Sequence, residues 1–166
     1  MLLGRRKSKR PLSTDSPLHL VLRSDFAYGK RSLLKHRPRI EKIIQRSANK
    51  FAIRVYQKAI VGNHIHLLVK GKKREQIQNF FRIVAGHIAQ EILKFAPLSA
   101  DEMKRRELMS SKKRNKENKF WQTRIYSRLV RWGKDFFTVK AYVIQNGLEA
   151  LGLIPYKKRT YFKSSA

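Results

Sequence analysis

Two strand-like segments joined by a turn constrain the fold more than any other feature of this 166-residue chain. Residues 52–61 form a run rich in β-branched side chains, and residues 64–70 (HIHLLVK) form a second apolar run. The dipeptide between them, Gly62-Asn63, is typical of a tight turn between antiparallel strands. The sequence therefore predicts a β-hairpin, and with it an antiparallel sheet.

Further apolar patterns on both sides of the hairpin complete the predicted fold. Short apolar runs predict strands at residues 17–23 and 120–130, and helical spacing predicts helices at about 38–51, 73–95 and 134–151. The order is strand, helix, strand, strand, helix, strand, helix, and its first six elements match a split βαβ arrangement. We therefore predict an α+β, ferredoxin-like fold, with two helices on one face of a four-stranded antiparallel sheet and a further C-terminal helix.

Basic segments flank the predicted domain, which spans residues 17–152. Residues 1–16 predict a flexible basic arm, and residues 153–166 predict a basic aromatic tail. Residues 99–119 are rich in Lys and Arg with little periodicity, which predicts a mobile loop or a solvated helix inside the domain.

The charge balance predicts a polyanionic partner. The chain has 39 Lys and Arg against 11 acidic residues, a formal net charge of +28. Such a charge repels itself in a compact monomer, and phosphates contacted by Lys or Arg release condensed counterions. An anionic membrane surface is the alternative partner, but no apolar run approaches the roughly 18 residues of a spanning helix. The uncharged run at the start ends after four residues, at Arg5, so we also expect no signal peptide. We expect nucleic acid as the partner, and no membrane.

The chain contains no cysteine. This excludes disulfides, thiolate zinc sites and thiol nucleophiles, so a bound metal must use His, carboxylate or amide oxygen. A cytoplasmic, nucleoid-associated location agrees with this composition.

His64 and His66 form the first candidate site. Residues two apart in a strand point to the same face of a sheet, while Ile65, Leu67 and Val69 point to the other. Two neighbouring neutral imidazoles can bind one divalent ion. The alternative is a histidine pair that the sheet surface merely tolerates, but its position in a strand directly after a turn favours a metal site.

The last predicted helix carries the second candidate site. Its polar face is predicted to contain Thr138, Tyr142, Gln145, Asn146 and Glu149. Its buried face is predicted to contain Phe136, Phe137, Val139, Val143, Ile144 and Leu148. Tyr142 and Asn146 are one turn apart, so a phenol could attack phosphorus while the amide helps to hold a metal. The spacing alone favours the simpler interpretation, in which Tyr142 is a surface aromatic residue.

Several segments resemble one known family, the single-tyrosine HUH transposases, also described as IS200-like. Residues 62–69 (GNHIHLLV) resemble its His-hydrophobic-His motif. Residues 140–146 (KAYVIQN) are similar to its catalytic helix, in which a tyrosine precedes an amide residue by four. Residues 120–122, 128–130 and 18–23 resemble segments of the branch called REP-associated tyrosine transposases.

The resemblance covers about residues 17–152 and implies an activity. It implies an enzyme that cleaves and rejoins single-stranded DNA through a 5′-phosphotyrosine intermediate, with Mg²⁺ or Mn²⁺ as cofactor. It also implies recognition of hairpin or palindromic DNA.

The same resemblance implies roles for individual residues. Tyr142 would be the nucleophile, which makes the C-terminal helix the catalytic helix of the fold. The implied metal ligands are His64, His66 and Asn146, with Gln145 as the substitute for Asn146. One departure is Gly147, which stands where that branch usually has proline; both residue types interrupt helices.

Clusters of Lys and Arg are candidates for DNA contact, although each could be an ordinary solvated face. They are Arg5, Arg6, Lys7, Lys9, Arg10, Lys72, Lys73, Arg74, Lys112, Lys113, Arg114, Arg124 and Arg128. We interpret Tyr126 as a DNA-contact or packing residue. His19, His36 and His87 are interpreted as structural or phosphate-contacting residues.

Two other functions remain open at this point. A replication initiator or relaxase shares the histidine pair, but commonly carries a lysine one turn after its tyrosine, where this chain has Asn146. A non-catalytic basic nucleic-acid-binding protein, such as an inactive relative, fits the charge equally well but has no need of the histidines and the tyrosine together. The sequence is compatible with a monomer or a homodimer.

Overall fold

The computed structural model describes residues 12–107, 120–122 and 126–157. Strands and helices in these residues are β1 (Leu18–Arg23), α1 (Arg37–Lys50), β2 (Arg54–Ile60), β3 (His64–Lys70), α2 (Arg74–Phe95), α3 (Ala100–Glu107), β4 (Tyr126–Leu129) and α4 (Lys134–Ala150). Two short 3₁₀ turns, Gly29–Arg31 and Leu33–His36, lead into α1.

The four strands form one antiparallel sheet in the order β2-β3-β1-β4. β2 and β3 pair as the predicted hairpin, and a bulge lies between Val55 and Gln57 of β2. β1 lies in the middle of the sheet, between β3 and β4. The sheet and its helices confirm the predicted α+β, ferredoxin-like fold.

The two faces of the sheet are covered by different helices. Alternate side chains of β1 and β3, such as Leu20 and Leu67, are buried against α1 and α2, where Ile44 and Phe80 complete the main core. A smaller core lies on the opposite face, where Val143 of α4 packs with Leu68 and other residues. The C-terminal helix therefore covers the face to which the even-numbered residues of β3 point.

The fourth strand is shorter than predicted. The prediction covered residues 120–130, whereas among the described residues of this range the strand is Tyr126–Leu129. Phe120 and Trp121 lie outside the strand and belong to the main core, where the indole nitrogen of Trp121 donates a hydrogen bond to the Ala85 carbonyl at 2.7 Å. Their apolar character reflects packing against helix α2, not membership of the sheet.

The flanking segments fall only partly within the described residues. Leu12 packs against the main core, and the Asp15 carbonyl accepts a hydrogen bond from the Trp132 indole at 2.9 Å. The charged segment predicted at 99–119 begins with helix α3, and its residues 108–119 lie outside the described part. The same holds for residues 1–11 and 158–166. Among the residues that are described, every helix is too short or too polar to cross a bilayer.

Gly71, between β3 and α2, lies where a side chain would not fit. A Cβ atom there would stand 2.6 Å from Ile77 Cγ1 and 2.7 Å from Ile53 Cδ1, and both isoleucines are buried. We expect Gly71→Ala to lower the free energy of unfolding by about 1–3 kcal/mol, because overpacking forces these side chains to move.

Gly86→Ala is the matched control for this prediction. Gly86 is exposed inside helix α2, and a Cβ atom there meets nothing within 4 Å. We expect this substitution to raise stability by about 0.5–1 kcal/mol, because alanine favours the helix. Urea unfolding followed by circular dichroism measures both variants. If both substitutions changed the free energy of unfolding in the same direction, the close packing around Gly71 would be contradicted.

Candidate active site

His64 and His66 lie on the α4 face of β3, as the alternation of the strand requires. Their ring centres are 4.8 Å apart. His66 is buried, with 3% of its surface exposed, whereas His64 is half-buried at the start of the strand. The Asn63 amide oxygen lies 2.7 Å from His64 Nδ1. Because an amide oxygen only accepts hydrogen bonds, Nδ1 must carry the proton and Nε2 the lone pair when this ring is neutral.

Tyr142 reaches the histidines from α4 of the same chain. Its ring centre lies 5.5 Å from that of His66, with the two planes at 86°. The helix is placed by Phe136, Val139 and Val143, which pack on the sheet. Tyr142 lies at the edge of that contact and is half-buried. The structure therefore brings together the candidate nucleophile and the candidate histidine ligands within one chain.

Helix α4 is oriented differently from the prediction. Phe137 was expected to be buried and is 67% exposed, and Ile144 is also exposed. Asn146 was expected on a polar surface and is only 7% exposed. With about 100° of rotation per residue, Asn146 lies between the buried position Val139 and the edge position Tyr142. The prediction failed because a helix with apolar residues on several sides does not reveal which side meets the sheet.

The two candidate amide ligands have different environments. The Asn146 side-chain nitrogen donates a hydrogen bond to the Tyr142 carbonyl at 2.7 Å, which directs its oxygen away from that carbonyl. Gln145 lies about 100° around the helix from Asn146, further from the side that faces the sheet. Its side-chain nitrogen donates a hydrogen bond to the Glu149 carboxylate at 2.8 Å. The helix continues through Gly147 to Ala150, so the glycine does not interrupt it.

His19 of β1 is a neighbour of the site that the sequence interpretation missed. It is 6% exposed, and its Nε2 lies 3.1 Å from His66 Nδ1. Burial, and then the positive charge of Arg128, lower the pKa of His19 to about 4, so the ring is neutral at pH 7. The sequence feature that could have identified His19 is its place in the apolar run of β1, between the buried residues Leu18 and Leu20.

The two histidines near Tyr142 can form a metal site only if an amide oxygen or another oxygen joins them as a ligand. Within the described part of the chain, no three His, Asp or Glu side chains are grouped to hold a metal ion. The predicted ligands are two imidazole nitrogens and one amide oxygen: the rings of His64 and His66 lie together, and Asn146 is buried one helical turn from Tyr142. This donor set is compatible with a divalent ion that also keeps water or phosphate oxygens.

The predicted DNA-contact residues lie in different places. Lys72, Lys73 and Arg74 are exposed, at the opposite end of β3 from His64, roughly 20 Å away along the strand. Arg128 pairs with His19 across the β1–β4 ladder and forms an ion pair with Asp135 at 2.6 Å. The other candidates lie outside the described residues: Arg5, Arg6, Lys7, Lys9, Arg10, Lys112, Lys113, Arg114 and Arg124.

One solved structure shares this fold, and one family model matches the sequence. A solved REP-associated tyrosine transposase bound to a REP hairpin is similar over 98% of each chain, with a TM-score of 0.60 and 13% identity. A protein of Deinococcus radiodurans R1 assigned as a transposase covers 86% of this chain and 98% of its own, with a TM-score of 0.48 and 12% identity. No curated sequence is significantly similar to this chain. The model of the family described as "Transposase IS200 like" matches residues 14–146. That match covers most of the chain, and the protein therefore belongs to the IS200-like transposase family.

Proposed function

We propose that this protein is a metal-dependent transposase that cleaves and rejoins single-stranded DNA through a 5′-phosphotyrosine at Tyr142. Membership of the IS200-like family supports transposition as the activity. The observation that carries the tyrosine chemistry is the distance of 5.5 Å between the ring centres of Tyr142 and His66. A protein that only coats DNA has no need of this arrangement.

The proposed reaction exchanges one phosphodiester for another. The Tyr142 oxygen attacks the phosphorus and loses its proton, the new bond joins tyrosine to the 5′-phosphate, and the 3′-oxygen leaves and takes up a proton. A divalent ion, when bound, would neutralise charge on the non-bridging oxygens. Because the ester bond is conserved in the intermediate, a 3′-hydroxyl can attack it in reverse and rejoin the strands without ATP.

His64, His66 and Asn146 are the proposed ligands of a Mg²⁺ or Mn²⁺ ion. The hydrogen bond from His64 Nδ1 to Asn63 leaves Nε2 as its coordinating atom. All three donors are neutral, so the ion would keep its full positive charge, and a DNA phosphate is a suitable further ligand. We propose Asn146 rather than Gln145 because Asn146 is buried on the sheet-facing side of α4.

Substitution of the two amides tests this choice of ligand. We expect Asn146→Ala to weaken Mn²⁺ binding by at least about tenfold, and Asn146→Asp to bind at least as tightly as the wild type, because it restores an oxygen donor. Gln145→Ala is the matched control and is expected to bind Mn²⁺ like the wild type. Titration followed by electron paramagnetic resonance of free Mn²⁺ gives the affinities. If Mn²⁺ binding were weakened only in Gln145→Ala, the ligand would be Gln145 and not Asn146.

The proposed substrate is single-stranded or hairpin DNA. The solved relative with the same fold is bound to a REP hairpin, and the net charge of +28 favours a polyanion. The exposed basic residues are the proposed DNA-contact surface. Since the histidines and the tyrosine meet within one chain, we propose that a monomer carries a complete site, without exchange of α4 between subunits.

The polarity of the covalent product tests the proposed function. Hairpin DNA labelled at its 3′ end is incubated with the protein and Mn²⁺, and the products are separated under denaturing conditions. A 5′-phosphotyrosine transfers the 3′-labelled fragment to the protein, whereas a 5′ label is released on a free strand. The opposite labelling pattern would contradict the proposed chemistry, and no adduct with any hairpin would favour the non-catalytic binding protein.

A further inference from the structure

His19 and His66 face each other across two neighbouring strands. His66 pairs with Val21 in the β1–β3 ladder, so His19 is its diagonal neighbour on the same face of the sheet. The ring planes are within 12° of parallel, and the ring centres are 5.3 Å apart. The facing nitrogens, His19 Nε2 and His66 Nδ1, are much closer, at 3.1 Å. The rings therefore meet edge to edge, joined by a hydrogen bond in the plane of both.

This hydrogen bond can be made in two ways when both rings are neutral. If His19 donates from Nε2, His66 accepts at Nδ1 and carries its own proton on Nε2, so neither nitrogen of His66 can bind a metal. If His66 donates from Nδ1, its Nε2 carries a lone pair. Metal binding by His66 is therefore compatible only with a His19 ring that accepts at Nε2 and keeps its proton on Nδ1.

The surroundings of His19 fix the position of its ring. Tyr142 lies against it at 6.0 Å between ring centres, with planes at 79°, and Tyr126 lies at 6.0 Å with planes at 73°. His19 is itself buried. A buried ring between two aromatic rings has few alternative rotamers, so its Nε2 stays directed at His66.

We propose that His19 is a positioning residue that holds His66 with its proton on Nδ1 and its Nε2 directed to a divalent metal ion. His19 does not bind the metal itself. This inference rests on the proposed function, because His66 is a proposed ligand. Outer hydrogen-bond partners of this kind fix the tautomer and orientation of metal-binding histidines and raise their basicity.

Nuclear magnetic resonance of the metal-free protein tests the tautomer without any activity. Long-range ¹H–¹⁵N correlation at neutral pH identifies the protonated nitrogen of each ring. In the wild type we expect His66 to carry its proton on Nδ1, and in His19→Leu we expect a population protonated on Nε2. His19→Gln places an amide oxygen near the former Nε2 and is expected to retain the wild-type tautomer. A proton on His66 Nε2 in the wild type, or a His66 tautomer unaffected by His19→Leu, would overturn the proposal.

Affinity for Mn²⁺ alone, measured by calorimetry, gives a second readout. We expect His19→Leu to bind about 10- to 100-fold more weakly than the wild type, and His19→Gln to recover most of the loss. His87→Leu, at an exposed position of α2, is the control for loss of a histidine. Wild-type affinity in His19→Leu, or equal losses in the Leu and Gln variants, would contradict a role based on hydrogen-bond acceptance. Should His19→Leu not fold, His19→Gln and the wild-type tautomer still decide the question.

The two proposals can fail separately. If the wild type binds Mn²⁺ and forms the DNA adduct while His19→Leu does both equally well, the role of His19 is wrong and the proposed function stands. If the wild type neither binds Mn²⁺ nor forms an adduct, the proposed function fails, and the tautomers of the metal-free protein still report whether His19 positions His66.

Discussion

Tyr142→Phe is expected to abolish the covalent protein–DNA adduct and to lower strand cleavage by at least about 10⁴-fold, as removal of a nucleophile does in other enzymes. The oxygen that would form the bond to phosphorus is removed, but the ring that packs 5.5 Å from His66 remains. Folding and DNA affinity should therefore change little. The measurement is the rate of adduct formation with labelled hairpin DNA and Mn²⁺, together with equilibrium binding of the same DNA.

Tyr126→Phe is the matched control for this experiment. The ring centres of Tyr126 and Tyr142 each lie 6.0 Å from that of His19, so both tyrosines are neighbours of the same buried ring. Tyr126 lies in strand β4, so it has no counterpart of Asn146, which follows Tyr142 by one turn of helix α4. We expect the Tyr126 variant to form the adduct. An adduct that persists in Tyr142→Phe and disappears in Tyr126→Phe would identify Tyr126 of β4 as the nucleophile.

His66→Leu is expected to have the next largest effect. It should weaken Mn²⁺ binding by about 100-fold or more, since a proposed direct ligand is lost and outer partners alone change affinity by 10- to 100-fold. Adduct formation should fall in the same variant, and binding of DNA without metal should persist, because the basic surface is unchanged. Calorimetry with Mn²⁺ and gel electrophoresis of the adduct measure the two effects on one preparation.

The control for this variant is His87→Leu, which removes an exposed histidine from α2. Thermal unfolding of each variant separates loss of the site from loss of the fold, since His66 is buried. Wild-type affinity for Mn²⁺ in a folded His66→Leu protein would show that the histidine pair is not a metal site.

Local sequence patterns predicted the fold well, because the hairpin and the helical stripes depend on neighbouring residues. The alternation in HIHLLVK correctly placed Ile65 and Leu67 in the main core. The predicted strand at 120–130 was too long, because the apolar pair Phe120 and Trp121 looks the same whether it lies in a strand or packs beneath a helix. Periodicity alone does not separate these two cases.

The arrangement around the candidate site was harder to predict. His19 meets His66 only because β1 is the neighbour of β3, and strand order depends on contacts between residues far apart in the sequence. Helical spacing assigned Asn146 to the polar face of the last helix, yet it is buried beside Tyr142. A polar residue on a buried face breaks the local pattern, as functional residues often do.

The most direct test is to identify the residue that carries the DNA. The adduct formed with Mn²⁺ is digested with trypsin and nuclease, and the modified peptide is fragmented in a mass spectrometer. Cleavage after Lys140 and Lys157 gives a peptide of residues 141–157 that contains both Tyr142 and Tyr156, so fragment ions must separate the two. The account predicts a nucleotide phosphate on Tyr142. The same modification on Tyr156, on Tyr126 or on any other residue would contradict it.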